Sequence, residues 1–100
     1  MMNQVILIGR INNDFVIKNV EGVSQAVVEL KVQRSFKNLD GEYEFDYIEV
    51  VVLEGLATSI ETYCKKGTTI AVKARIECPS SRELRFVAEK ITYLSTGKVE

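Results

Sequence analysis

The stretch Val23–Leu53, VSQAVVELKVQRSFKNLDGEYEFDYIEVVVL, decides the fold. In its first half Ala26, Val28, Leu30 and Val32 alternate with Val27, Glu29, Lys31 and Gln33, the period-two pattern of a long strand with one face toward a core. Asn38-Leu39-Asp40-Gly41 then reverses the chain, Asp-Gly being a strong short-range hairpin signal. The return strand, Glu42 to Leu53, places Tyr43, Phe45, Tyr47, Glu49, Val51 and Leu53 on one parity and Glu44, Asp46, Ile48, Val50 and Val52 on the other. Both faces change character along its length, as in a strand that curves around a barrel. The segment Arg34–Tyr47 also holds four of the chain's eight aromatic residues, Phe36, Tyr43, Phe45 and Tyr47. They are either packing or a platform.

Outward from this hairpin the same punctuation recurs. Val5–Ile8 begins a first strand, and Phe15–Lys18 forms a short one closed by a turn at Glu21-Gly22. After the hairpin the period changes: Leu56, Ile60, Tyr63 and Cys64 fall at helical spacing in LATSIETYCKK, with Lys65 and Lys66 in the last turn and Gly67 ending the helix. TTIAVKARIE returns to strand, its outer face carrying Lys73 and Arg75. CPSSRE turns the chain at Pro79, and Leu84–Leu94 is the last strand. Residues 95–100 read as a short flexible tail after a domain spanning 1–94. Three main strands, a helix and two strands predict an all-β fold, a five-stranded Greek-key OB barrel with its helix between strands 3 and 4.

One hundred residues with 46% hydrophobic and 27% charged content describe one globular domain. The absence of histidine excludes Ser-His-Asp and Cys-His chemistry, and neither a P-loop nor a GxGxxG motif occurs, so no enzyme is expected. No metal or cofactor site is expected from Cys64 and Cys78 alone, which read as buried apolar residues. No run reaches the length of a membrane span, and a cytoplasmic, nucleoid-associated protein is expected. With a net charge of −1, attraction to phosphate must be local. Six acids and no base lie between Leu39 and Gly55, and four bases and no acid from Lys65 to Arg75. Such blocks are commonly solvated faces.

The opening MNQVILIGRI, the hairpin VQRSFKNLDGEYEFDYIEVVV and the helix exit TYCKKGTTIAVKARIE together resemble the N-terminal domain of bacterial single-stranded DNA-binding proteins, over Met2 to Tyr93. The resemblance implies an OB barrel, a homo-oligomer (a tetramer, with a dimer as the alternative), and single-stranded DNA held by base stacking and basic side chains. It implies stacking at Phe36, before the hairpin turn, and at Tyr47, before the Val-rich strand. Leu53 falls where relatives often carry another aromatic. Arg10 matches the Gly-Arg arginine, Arg34 and Lys37 flank Phe36, and Lys66-Gly67 matches the Lys-Gly at the helix exit. The sequence departs from the family in lacking tryptophan, in its short final hairpin, and in lacking a long tail with the acidic tip that recruits replication and repair proteins.

Three readings follow. In the first, the protein binds single-stranded DNA in replication, repair or recombination, with Phe36 and Tyr47 stacking and Arg10, Arg34, Lys37, Lys66, Lys73 and Arg75 as nucleic-acid contacts. Tyr43 and Phe45 read as core or interface packing, and Lys73 and Arg75 equally as ordinary solvent-facing residues. The second is a dimer like the primosomal replication protein N family. The third is a diverged protein-interaction module, marked by the acidic block, the short final hairpin and the near-neutral charge, and favoured if the acids of Asp40–Glu54 line the groove; Glu49, on the face of Tyr47, should repel phosphate in the first reading.

Overall fold

The computed structural model describes residues 1–79 and 83–94. Its elements are β1 (Val5–Ile11), β2 (Lys18–Val20), β3 (Val23–Lys37), β4 (Tyr43–Leu53), α1 (Glu54–Tyr63), β5 (Thr69–Glu77) and β6 (Arg85–Tyr93). The alternation in β3 works as expected: Ala26, Val28 and Leu30 are buried while Val27 is exposed. β3 pairs antiparallel with β4 from Gln25↔Leu53 to Gln33↔Phe45. β4 pairs in parallel with β6 at Val50↔Phe86 and Val51↔Val87, and β6 pairs antiparallel with β5. β5 pairs with β1 from Val5↔Ala74 to Arg10↔Thr69, and β1 then meets β3 at Arg10↔Lys31 and Ile11↔Leu30. The circuit β1–β3–β4–β6–β5 is therefore closed, the expected OB barrel. β2 is an addition on β3, so α1, between β4 and β5, follows the third barrel strand.

The inward residues Ile11, Val28, Leu30, Val50, Val52, Ile70 and Val72 fill the barrel, and α1 adds Ala57 and Ile60. Burying each branched side chain contributes roughly 1.5–3 kcal/mol, so this cluster is the main source of stability. Where β1 crosses β3, a Cβ on Gly9 would stand 2.8 Å from the Lys31 carbonyl oxygen and 3.0 Å from a Val32 methyl. Only glycine permits that approach.

The turns are built as their residues dictate. Glu21 and Gly22 have φ of 51° and 83°, the two positive values of a type I′ hairpin turn, and Asn19 Oδ1 accepts from the Gly22 N–H at 3.0 Å. At the other hairpin the Gly41 N–H donates to the Asn38 carbonyl at 3.0 Å, while Asn38 Oδ1 accepts from the Asp40 and Glu42 N–H groups.

Three expectations need correction. The short second strand is Lys18–Val20, because Asn13 instead ties the preceding loop to β3: its Oδ1 accepts from the Glu29 N–H at 2.9 Å and its Nδ2 donates to the Val27 carbonyl at 3.1 Å. Phe15 and Ile17 pack against the core from this loop. The helix ends at Tyr63, and Lys65 and Lys66 lie outside it. They belong to a separate turn in which the Thr68 N–H donates to the Lys65 carbonyl at 3.0 Å, Thr68 Oγ1 accepts from the Lys65 N–H, and Gly67 takes φ 99°. Tyr63 is not core-facing. It is exposed, its ring 5.7 Å from that of Tyr93. The expected flexible tail, 95–100, and residues 80–82 of the expected final turn lie outside the described residues.

Candidate nucleic-acid interface

Cross-strand partners share a face of a sheet, so the register sorts the hairpin's side chains. On the outer face the pairs are Glu29↔Glu49, Lys31↔Tyr47, Gln33↔Phe45 and, past a register shift, Lys37↔Tyr43. Tyr47 is 55% exposed and Phe45 38%. Neither ring, nor that of Tyr43, belongs to the core or to the side chains packed against it, so core packing is excluded for Tyr43 and Phe45. Each of these two instead meets a lysine: Lys31 Nζ stands 4.4 Å from the Phe45 ring centroid, and Lys37 Nζ 5.6 Å from that of Tyr43.

Val32↔Asp46 is turned to the other face, and Arg34 joins it there. The Arg34 guanidinium donates to Asp46 through Nε at 3.1 Å and Nη2 at 2.8 Å, and to Glu44 through Nη1 at 2.9 Å. The hydrogen bond to Arg34 holds the Asp46 carboxyl below its ordinary value. Phe36, 69% exposed, lies within the shifted stretch between Gln33 and Lys37 and has no Cα partner on β4. Leu53, at the far end of β4, is half-buried opposite Gln25.

The outer face continues across β3 onto β1 and β5. Arg10, exposed, is the Cα partner of both Lys31 and Thr69, and Ile8, Gly9, Arg10, Lys31, Gln33, Phe45 and Thr69 line an open groove of ≈ 330 Å³. Among the described residues the groove holds two bases and no acid. The acids of Asp40–Glu54 do not line it, contrary to the interaction-module reading. Lys73 lies on the same face farther along β5, opposite Ile6 of β1 and Lys90 of β6. Lys66 sits elsewhere, in a recess with Asp14, Phe15 and Glu61. Arg75 is engaged: its Nη2 is 2.8 Å from Glu77, its Nη1 3.5 Å from Glu89, and Arg85 Nη2 is 2.7 Å from Glu77.

The structure thus gathers Arg10, Lys37, Tyr47 and Lys73 on one outer face and binds Arg34 and Arg75 into ion pairs. It adds Lys31, Gln33, Phe45 and Tyr43, which sequence reasoning leaves out or reads as packing. The parity that groups Tyr43, Phe45 and Tyr47 is the signal available for the rings. Lys31 carries none, because it reads as any solvent-side strand residue.

The chain matches the single-strand binding protein family model over residues 2–98. It is 40% identical over 81 residues to single-stranded DNA-binding protein B of Bacillus subtilis, covering 80% of this chain and 72% of that protein. It is 38% identical over 78 residues to single-stranded DNA-binding protein 1 of Streptococcus pyogenes, covering 77% of this chain and 60% of the relative. Among solved structures, the wild-type single-stranded DNA-binding protein of Thermus aquaticus superposes with a TM-score of 0.77 at 25% identity, over 94% of this chain and 50% of the other. A small single-stranded DNA-binding protein from Streptomyces coelicolor shares the fold, with a TM-score of 0.75 at 15% identity over 94% and 95% of the two chains.

Proposed function

The chain belongs to the single-strand binding protein family, and from that premise we propose that it binds single-stranded DNA without strong sequence preference along the outer face of β1, β3 and β4. The family is not enzymatic. The observation that carries this reading is the exposure of Tyr47 beside Lys31 and Arg10, while Asp46 and Glu44 are turned away and tied to Arg34. An exposed ring stacks on any base, and neighbouring ammonium and guanidinium groups neutralise phosphates, so affinity is sequence-tolerant and salt-sensitive. Tyr47 and Phe36 stack; Arg10, Lys37 and Lys73 take phosphates, with Lys66 a more distant contact. Arg34 and Arg75 hold their hairpins and leave the phosphates to the others.

A homotetramer is the state proposed, in keeping with the family. A role in replication, repair or recombination in the bacterial cytoplasm, at the nucleoid and beside replication or repair proteins, accords with the family. Among the described residues no helix is long and apolar enough to cross a membrane. The relatives named above are all single-stranded DNA-binding proteins, so the primosomal replication protein N reading is not favoured.

Competition between oligo-dT and a duplex of equal length tests the proposal. Preferential binding of oligo-dT is expected; equal or stronger binding of the duplex would contradict it.

A further inference from the structure

Among the described residues of the chain, Phe45 has no packing role that accounts for an aromatic ring. It is exposed and stands apart from the core and its packed periphery, and its ring meets the Lys31 ammonium, 4.4 Å from the centroid. A cation over an exposed ring is held weakly, because water competes for it. The ring is therefore covered by a group that moves off at little cost. Beside it stand Gln33, its cross-strand partner, and Arg10, the partner of Lys31. The groove's ≈ 330 Å³ lies at the low end of the roughly 300–1,000 Å³ of small-molecule sites.

We infer that Phe45, Lys31, Gln33 and Arg10 form a further single-nucleotide subsite, separate from Phe36 and Tyr47, in which a base displaces the Lys31 ammonium from the Phe45 ring. The displaced ammonium, on its flexible stem, moves to the nucleotide's phosphate together with Arg10, and the Gln33 amide meets the base edge. The exchange leaves no charge unpaired: the cation loses a ring and gains an anion, while the ring loses a cation and gains a π-face. The acids nearest in register on this face are Glu29 and Glu49, two rungs from Phe45, and those of the other face are held by Arg34. Lys37 over Tyr43, at 5.6 Å, repeats the arrangement more loosely toward the hairpin tip.

This subsite deepens the proposed function and rests on it, so its test carries an internal control. The chain has no tryptophan, so Phe45→Trp and, separately, Tyr47→Trp each introduce a single indole reporter. On titration with oligo-dT, followed in parallel by anisotropy of labelled DNA, the indole emission of Phe45→Trp is expected to be quenched to saturation. Phe45→Leu is expected to weaken binding by roughly fivefold or more. Lys31→Met is expected to lower the salt slope of log K by about 0.7, the share of one neutralised phosphate on single strands. Binding seen by anisotropy and by Tyr47→Trp, with unchanged Phe45→Trp emission, Phe45→Leu within twofold and an unchanged Lys31→Met slope, would overturn the subsite alone. Absence of binding by the unsubstituted protein at low salt would overturn the proposed function with it.

Discussion

Arg34 and Asp46 close on each other across the β3–β4 hairpin, with Nη2 2.8 Å from Oδ1 and Nε 3.1 Å from Oδ2. A guanidinium that spends its planar fork on a carboxylate has little left for a phosphate. Arg34→Ala is accordingly expected to change oligo-dT affinity by no more than about twofold. Arg10→Ala should weaken it by more, because a phosphate left without its cation keeps the counterion that binding would otherwise release. The Glu44→Gln/Asp46→Asn variant should act in the opposite sense, freeing Arg34 of both its carboxylates and steepening the salt slope. Anisotropy titrations at several salt concentrations check all three; equal losses for Arg34→Ala and Arg10→Ala would contradict the assignment.

The Arg34–Asp46 pair and the Glu77 pairs also make a contribution to stability that is lost in acid. Hydrogen bonds from Arg34 hold Asp46 below its ordinary 3.8, and those from Arg85 and Arg75 hold Glu77 below its ordinary 4.5. A carboxylate with a depressed folded-state pKa contributes stability that is complete above the unfolded value and is lost as pH falls through the folded one. Stability from these groups is therefore expected to be flat from pH 7 to 5 and to fall below about 4.5, and the Asp46→Asn/Glu77→Gln variant should show a shallower acid decline. Urea melts across that range measure it.

Two glycines with opposite surroundings predict opposite outcomes. Gly9→Ala drives a methyl to within 3.0 Å of the β3 backbone, in a crossing with no flexible neighbour to yield, and should cost about 1–3 kcal/mol. Gly55, in the first turn of α1 with open space around its added Cβ, should gain roughly 0.5–1 kcal/mol as alanine. Denaturant midpoints at constant m-value decide both.

Much of this is legible in the sequence because it is periodic. The alternation in β3, the Asp-Gly and Glu-Gly turns and the single helical stripe specify a barrel without reference to any neighbour. The misses have physical causes. Tyr63 falls at helical spacing, but the helix buries Ala57 and Ile60 and leaves Tyr63 to meet Tyr93 from β6. Lys65 and Lys66 read as helix-ending charges because nothing local announces that Thr68 closes its own turn on Lys65. Arg34 reads as a free cation because its acids approach from the neighbouring strand; Arg75 is held by Glu77, two residues along its own strand, as well as by Glu89 across the hairpin; and Lys31 reads as unremarkable because its value comes from the Phe45 ring on the neighbouring strand. Parity shows which face a residue is on; only register shows what stands beside it there.

Glu49 is the acid that the register leaves on the binding face, opposite Glu29, whose Oε1 already accepts from Asn12 Nδ2 at 2.7 Å. Like charges directly opposed repel each other and also repel phosphate passing Tyr47. Glu49→Gln is expected to tighten oligo-dT binding a few-fold at low salt and to raise the melting temperature slightly. Unchanged affinity would show that the DNA path does not pass this rung.

The two thiols should differ in reactivity. Cys64 is buried, and burial pushes its thiol above the ordinary value, whereas Cys78, expected from the sequence to be buried, is exposed because it lies just past the end of β5. A thiol-specific chromogenic reagent at about pH 8 is expected to titrate one cysteine rapidly in the native protein and the second only on unfolding. Two rapid equivalents would contradict the packing of Cys64 against the core.

The most direct test of the central claim is a low-salt titration of labelled oligo-dT with the unsubstituted protein and with the Phe36→Ala/Tyr47→Ala variant. Two stacking rings predict saturable binding that the double substitution weakens by roughly 30-fold or more, with the fold intact by circular dichroism. No binding by the unsubstituted protein, or equal affinity of the variant, would contradict it.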